Sequence, residues 1–195
     1  MAKKAGKRTT GAKRPKKVTK RTAARRKSAR RAAPKRVMPV PPHYHTVTPY
    51  LVCRGAGDAI EFYENAFGAR EKYRMTGPDG RIAHAEIRIG DSMLMIGEEA
   101  LEMGATAPPT IGGTAVQVFL YVRNVDKAFA QATGAGATVE MPPTDMFWGD
   151  RYCKLADPFG HKWSMATHIE DVSPREMTRR AAEAFAAPPP EPPAA

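Results

Sequence analysis

Cysteine is scarce in this chain of 195 residues, which holds only Cys53 and Cys153. Two cysteines cannot build the disulfide framework that stabilises small secreted domains. Both lie in strand-like stretches of sequence. We therefore predict buried, reduced thiols in a cytoplasmic protein.

The chain also lacks any apolar run of about 18 residues, the length that a membrane-spanning helix needs. No apolar run follows the basic start, as a secretory signal would require. We therefore predict no membrane partner. A mitochondrial transit peptide is the less favoured alternative, because the many lysines and the scattered Pro and Gly disfavour an amphipathic helix.

Acidic residues are absent from residues 1–36, which carry 17 of the 31 Lys and Arg. All 20 acidic residues lie in residues 37–195, whose formal charge is therefore −6. Val18 is the only branched or aromatic apolar residue of the first segment. Such a composition cannot bury enough apolar surface to offset chain entropy, so residues 1–36 are predicted to form a disordered basic tail.

A tail of this charge predicts non-specific binding to nucleic acid through phosphate contacts. It has no aromatic residue that could stack on bases, and its composition resembles the Lys/Ala/Pro-rich tails of linker-histone-type proteins. The alternative to binding is a solubilising extension, and a nucleoid-associated location would accompany binding. The candidate phosphate contacts are Lys3, Lys4, Lys7, Arg8, Lys13, Arg14, Lys16, Lys17, Lys20, Arg21, Arg25, Arg26, Lys27, Arg30 and Arg31.

Proline and helix-capping signals mark the segments that flank the domain. Residues 37–45 contain three prolines and predict a stiff linker. Ser173 and Glu176 match a capping box, with Pro174 at the first helical position, so residues 171–187 predict a C-terminal helix. This helix should pack on the domain or on a partner subunit. Residues 188–195 are Pro-rich and predict a second disordered tail.

Turn chemistry at Asp157-Pro158-Phe159-Gly160 separates two short strand candidates, residues 151–155 and 163–167, and predicts a β-hairpin. A similar pattern comes earlier, with strand candidates 82–89 and 92–96 around Gly90-Asp91.

A strand and a helix precede each hairpin. Strand candidates 48–53 and 116–122 are followed by helical runs that open at Asp58 and Asp126 and end at Gly68 and Gly136. Both pairs are 68 residues apart. A fixed offset through several elements indicates two copies of one β-α-β-β-β unit. The predicted fold class is therefore α+β, with repeats at about 46–100 and 113–170 in a domain of residues 46–170.

Alternation along the strands separates a face that lies under a helix from a second face. Val116, Val118, Leu120 and Val122 belong to the helix-covered face. The second face carries Thr48 and Tyr50, then His84, Glu86 and Arg88, then Gln117, Phe119 and Tyr121. Aromatic surface with a few polar groups is typical of a small-molecule pocket. Contact with solvent or a neighbouring sheet is the alternative, and the charged row of residues 84–88 fits an exposed edge strand equally well.

The doubled unit, the run Asp58-Ala-Ile-Glu-Phe-Tyr-Glu-Asn-Ala-Phe-Gly-Ala and the Asp157-Pro-Phe-Gly-His turn resemble the vicinal oxygen chelate superfamily. This group comprises glyoxalases, bleomycin-resistance proteins and extradiol dioxygenases, and the chain looks most like its PhnB-like branch. The resemblance covers about residues 46–170. It implies two βαβββ modules whose curled mixed sheet forms a cup, usually completed by a homodimer.

Metal-using members of this superfamily hold an ion at one position in each of the first, fourth, fifth and eighth strands. The resemblance places these positions at Thr48, Leu94 or Met95, Gln117 and Ser164. Only Gln117 is a residue type that some glyoxalases use as a ligand, whereas such an ion favours imidazole and carboxylate. We therefore predict a metal-free cup and no cofactor. Half a divalent-metal site at His84 and Glu86 is the alternative.

Other residues suggest how such a cup would work. His84 with Glu86 is the candidate catalytic pair, as a general base oriented by a carboxylate. Trp148 and Arg151 at the mouth of the cup would suit a planar or anionic ligand; in the alternative, Trp148 fills the core and Arg151 pairs with Asp150. The predicted ligand-binding residues are Thr48, Tyr50, Gln117, Phe119, Tyr121, Trp148, Arg151 and Ser164.

The leading hypothesis is a cup that binds a small organic molecule, either sequestering or transforming it. One rival is a metal-dependent lyase or dioxygenase of the same superfamily. The other is a nucleoid-associated DNA-binding protein in which the cup is an accessory.

Overall fold

The computed structural model describes residues 37–186. The predictions of a basic tail at residues 1–36 and a Pro-rich tail at residues 188–195 lie outside the described residues. Within residues 37–186, no helix combines the length and the apolar character that crossing a bilayer requires.

Two successive βαβββ modules form the domain. The first has β1 (Tyr50–Cys53), α1 (Ala56–Phe67), β2 (Arg70–Thr76), β3 (Ile82–Ile89) and β4 (Ser92–Glu98). A 3-10 turn (Leu101–Met103) and the short α2 (Pro108–Ile111) lead to the second. The second has β5 (Gln117–Tyr121), α3 (Val125–Gly134), β6 (Thr138–Asp145), β7 (Asp150–Ala156) and β8 (Lys162–His168), and α4 (Pro174–Ala186) follows it.

Each module builds its own four-stranded mixed sheet. The strand orders are β1-β4-β3-β2 and β5-β8-β7-β6, so β1 and β5 are edge strands in equivalent positions. Each edge strand pairs with its neighbour in parallel, and the other pairings are antiparallel. The predicted α+β class and the repeat of two βαβββ modules are confirmed.

The helices cover one face of the sheets and leave the opposite face, called the open face here, without a helix. Leu51 and Cys53 of β1 and Cys153 and Leu155 of β7 are buried on the helix-covered face. Both cysteines are buried and free, as predicted, and burial raises the pKa of the Cys53 thiol to about 12. Val116 does not share this face as predicted, because β5 begins only at Gln117 and Val116 is 70% exposed.

Asp157, in the turn between β7 and β8, joins the two modules. One carboxylate oxygen accepts hydrogen bonds from the Phe159 and His161 backbone amides, at 2.9 and 2.8 Å. The other accepts from the Tyr63 hydroxyl of α1, at 2.7 Å, and from Trp163 Nε1 of β8, at 2.8 Å. The Tyr63 and Trp163 rings also contact each other in the core. The Asp-Pro-Phe-Gly-His turn thus serves the core as well as the hairpin.

The C-terminal helix α4 begins at Pro174, directly after Ser173, whose hydroxyl accepts a hydrogen bond from the Glu176 amide. Arg180 anchors this helix, since its guanidinium pairs with Glu170 at 2.7 Å and donates to the Phe147 carbonyl. The contact places α4 beside the loop that carries Trp148.

Candidate ligand-binding site

Four rings lie together on the open face of the second module. Phe119 stands between Tyr121 and Tyr152, with ring centroids 5.0 and 5.8 Å away, and Trp148 contacts Tyr152 edge-on at 5.8 Å. Phe119 is 46% and Tyr121 68% exposed, whereas Tyr152 is buried beneath them. We call Phe119, Tyr121, Trp148 and Tyr152 the aromatic face. Exposed aromatic surface of this kind is a candidate interaction site.

Asp150 is the polar centre of the aromatic face. It is only 4% exposed and accepts hydrogen bonds from the Tyr121 hydroxyl at 3.2 Å and from Trp148 Nε1 at 3.1 Å. Its second oxygen lies 2.7 Å from His168 Nδ1. One buried carboxylate therefore fixes the orientation of two rings that a ligand would meet.

His168 pairs with this buried carboxylate at the end of β8. Its other nitrogen, Nε2, lies 3.0 Å from Asp171. The hydrogen bonds to Asp150 and then to Asp171 raise the pKa of His168 above its usual value, which favours the imidazolium cation. Strand spacing explains the arrangement, because Asp150 and His168 are directly opposite in the β7–β8 hairpin.

Two clefts flank β5, where the edges of the two sheets approach each other without pairing. One, of about 530 Å³, brings together the predicted residues Tyr50, Gln117 and Phe119 with parts of β1. The other, of about 550 Å³, lies between Phe119, Tyr121 and the Gly90 turn. Both volumes fall within the range of small-molecule sites. Both linings mix apolar side chains with a few polar ones, such as Gln131 in the larger cleft and Gln117 in the smaller.

The open face of the first module holds the candidate catalytic pair. His84 Nε2 and Glu86 Oε1 are 3.4 Å apart, and the rings of Tyr50 and Tyr73 flank His84 at 5.8 and 6.3 Å. Tyr44 of the preceding segment lines a cavity of about 280 Å³ together with Glu86. Its hydrogen bond to Glu86 is the main reason that its pKa rises to about 12. The structure therefore brings His84 and Glu86 together.

Arg151, a predicted ligand-binding residue, is engaged by carboxylates of the domain itself. Arg151 lies two residues before Cys153 on β7, so its side chain is on the same helix-covered face. The alternative prediction, that Arg151 pairs with Asp150, is therefore not what the structure shows. Its guanidinium contacts Asp126 of α3 and Asp145 of β6, each at 2.8 Å. These two carboxylates raise the pKa of Arg151 and leave no free charge for a ligand.

Two other predicted residues are already engaged by the protein. Thr48 precedes β1, and its hydroxyl donates to the His45 carbonyl at 3.2 Å. Ser164 is 1% exposed beneath the rings, and its hydroxyl lies 2.6 Å from that of Tyr152. Tyr152 and His168 of the candidate site were not predicted from the sequence, and Asp150 was considered only as a partner of Arg151. Counting outward from the Asp157 turn would have placed all three on the open face.

A family model for the glyoxalase/bleomycin resistance protein/dioxygenase superfamily matches residues 43–165, which is more than half of the chain. The chain belongs to this superfamily. This chain is similar to an uncharacterised protein of Mycobacterium bovis, with 42% identity over 134 residues, which cover 67% of this chain and 88% of that protein.

Solved structures agree with this assignment. TioX from Micromonospora sp. ML1 has 26% identity and a TM-score of 0.51, over 66% of this chain and all of TioX. A PhnB protein from Bacillus cereus, titled a putative 3-demethylubiquinone-9 3-methyltransferase, has 15% identity and a TM-score of 0.50, over 63% of this chain and 99% of its own. The second likeness concerns the fold alone.

The metal positions implied by the superfamily do not fit a metal ion here. Leu94 belongs to the core, so Met95 is the fourth-strand residue on the open face, opposite Tyr50. Thr48 and Ser164 are occupied as described, and only Gln117 offers a plausible donor. Within residues 37–186, no three His, Cys, Asp or Glu side chains converge to hold an ion. The chemistry of these side chains is unsuited to a transition metal.

Proposed function

We propose that this superfamily member binds a small, partly planar organic molecule against the aromatic face and the adjoining β1–β5 cleft. The observation that carries the proposal is the buried Asp150, which fixes Tyr121 and Trp148 beside the exposed Phe119. Ligand sites combine apolar rings with a few convergent polar groups. Rings held in place before binding reduce the entropy lost when a ligand stacks on them.

Sequestration is favoured over catalysis as the use of this site. The catalytic alternative rests on His84 as a base beside Glu86, at 3.4 Å. A general base must reach the proton that it abstracts. The two residues lie on β3 of the first module and line neither of the clefts beside β5.

A melting-temperature screen across metabolites and antibiotics tests the proposal, because a ligand that binds the folded state raises the midpoint. Phe119→Ala should abolish the shift produced by a hit. Leu101→Ala is the matched control, since Leu101 is an exposed apolar side chain that lines neither cleft. A shift that survives Phe119→Ala would place the ligand elsewhere and contradict the proposal.

Binding is proposed to proceed without a metal, because the side chains at the superfamily positions supply one plausible ligand rather than four. The rival, a metal-dependent lyase or dioxygenase, requires an ion that Gln117 alone would have to hold.

We also propose that the chain forms a homodimer through its open faces. Tyr50 is 48% exposed and Tyr121 is 68% exposed, and a second copy would complete the cup by covering the part of this surface that a ligand leaves bare. Light scattering of the protein at micromolar concentration should report a dimer. A monomer would contradict this proposal.

The 17 cations of residues 1–36 support a second proposed function, non-specific association with nucleic acid. Affinity should fall steeply with salt, by a slope of roughly 0.9 for each phosphate neutralised. A gel shift on unrelated duplexes at two salt concentrations should lose binding when the chain starts at Val37. Equal binding by the shortened chain would assign the activity to the domain instead.

A further inference from the structure

Two arginines face each other at the far end of the first module. Arg70 of β2 and Arg88 of β3 are directly opposite in the antiparallel pairing. Like charges in this position destabilise a sheet. Among the described residues, salt bridges engage Arg54, Arg74, Arg81, Arg151, Arg179 and Arg180, but none engages Arg70 or Arg88. The sheet therefore keeps an unfavourable pair that a carboxylate would ordinarily relieve.

A β-bulge brings a third cation to the same place. Glu71 pairs with Ile87 and Tyr73 pairs with Glu86, so Lys72 is the extra residue of β2. A bulge re-aims a side chain, and bulges are over-represented next to functional sites. Lys72 here lines one cavity of about 300 Å³ together with Arg70 and Arg88.

Two glycines line this cavity, and a backbone carbonyl holds the Arg88 guanidinium in place. Gly68 and Gly90 complete the lining, and both have left-handed φ values, 64° and 58°. A side chain would be strained at either position. Arg88 Nε donates to the Gly90 carbonyl at 2.8 Å. This bond fixes the guanidinium while its two terminal nitrogens stay free to bind an oxyanion side by side.

General basicity does not explain the cluster, because residues 37–195 have a formal charge of −6. Glu86 is a carboxylate that lines the neighbouring cavity with Lys72 and Arg88. Glu86 Oε1 already lies 3.4 Å from His84 Nε2.

We propose that Arg70, Lys72 and Arg88 form a binding site for a phosphate group, either free or carried by an organic ester. Three cations more than balance the charge of about −1.5 to −2 that a phosphate ester carries at pH 7. Two guanidiniums supply paired donors for its oxygens. The site lies in the first module and does not depend on a ligand at the aromatic face.

Amide-resolved NMR titration of the full-length protein with inorganic phosphate, at constant ionic strength, tests the site. The amides of Gly68 and Gly90 should shift and saturate. Arg70→Gln/Arg88→Gln should weaken this response at least about tenfold, since it removes both paired donors. Lys127→Gln/Arg175→Gln removes the same charge from exposed positions outside the cavity and should leave the response unchanged. Residues 1–36 are present in all three proteins, so any phosphate binding by this segment contributes equally to each titration and does not affect the comparison.

A second titration with phenyl phosphate distinguishes the two sources. Tighter binding than inorganic phosphate indicates an ester, and equal binding indicates the free anion. Without phosphate, Arg70→Gln/Arg88→Gln should melt no lower than the unmodified protein, because it removes like-charge repulsion. If this variant fails to fold, Lys72→Gln alone should still weaken the response. Shifts at Gly68 and Gly90 that do not saturate, or that persist in the variants, would overturn the proposal.

Discussion

Replacing Asp157 by Asn should destabilise the folded protein by about 3 kcal/mol, because one buried carboxylate accepts four hydrogen bonds from two modules. In the variant, the amide oxygen can keep the Phe159 and His161 backbone bonds. The amide nitrogen then faces the Tyr63 hydroxyl and Trp163 Nε1. The Tyr63 hydroxyl can rotate and accept, whereas the indole N–H can only donate.

The magnitude follows from that orphaned donor. Trp163 is fully buried, and an unsatisfied buried donor costs about 1–3 kcal/mol. The bonds that remain lose their charge assistance, which adds roughly another 1 kcal/mol. For a domain of this size, about 3 kcal/mol corresponds to a melting midpoint lower by roughly 9 °C.

Urea unfolding followed by circular dichroism measures this loss. Asp79→Asn is the matched control: Asp79 is exposed and accepts one bond from the Arg81 amide, so the change should stay within about 0.5 kcal/mol. If Asp157→Asn were as stable as the control variant, the turn would not join the modules as described.

Three further predictions concern other parts of the chain. Because the folded-state pKa of His168 is raised, its pair with Asp150 stabilises the fold below pH 6.5, and this contribution is lost as pH rises through the raised pKa. The difference in melting temperature between the unmodified protein and His168→Gln should therefore shrink as the pH rises. Gly149→Ala should destabilise by at least about 2 kcal/mol in urea unfolding, because a Cβ there would clash with the Glu170 carbonyl and φ is 95°. Elemental analysis of tag-free protein should find no stoichiometric Zn, Ni, Mn or Fe; one metal per chain that is lost on Gln117→Ala would disprove the metal-free site.

Local patterns in the sequence account for most of the fold. Alternation and turn residues predicted β3 at residues 82–89, which are its observed bounds, and Gly68 as the residue that ends α1. The constant offset predicted the second module from the first. These signals come from residues that are close together in the chain, so they can be recognised without knowledge of tertiary contacts.

The residues of the candidate site were harder to predict because they depend on pairings between distant parts of the chain. Asp150 meets Tyr121 and His168, which are 29 and 18 residues away. Arg151 was assigned to the mouth of the cup from its closeness to Trp148, although strand parity sends it towards Asp126 of α3. The bulge at Lys72 leaves no sequence signature of its own.

Tryptophan fluorescence tests the central claim, binding at the aromatic face, most directly. Trp163 is fully buried, whereas half-buried Trp148 belongs to the aromatic face. A ligand that raises the melting temperature should therefore change the emission of Trp148. In Trp148→Phe, where only Trp163 emits, the change should disappear. A compound that stabilises the protein but leaves the emission of Trp148 unaltered would contradict binding at this face.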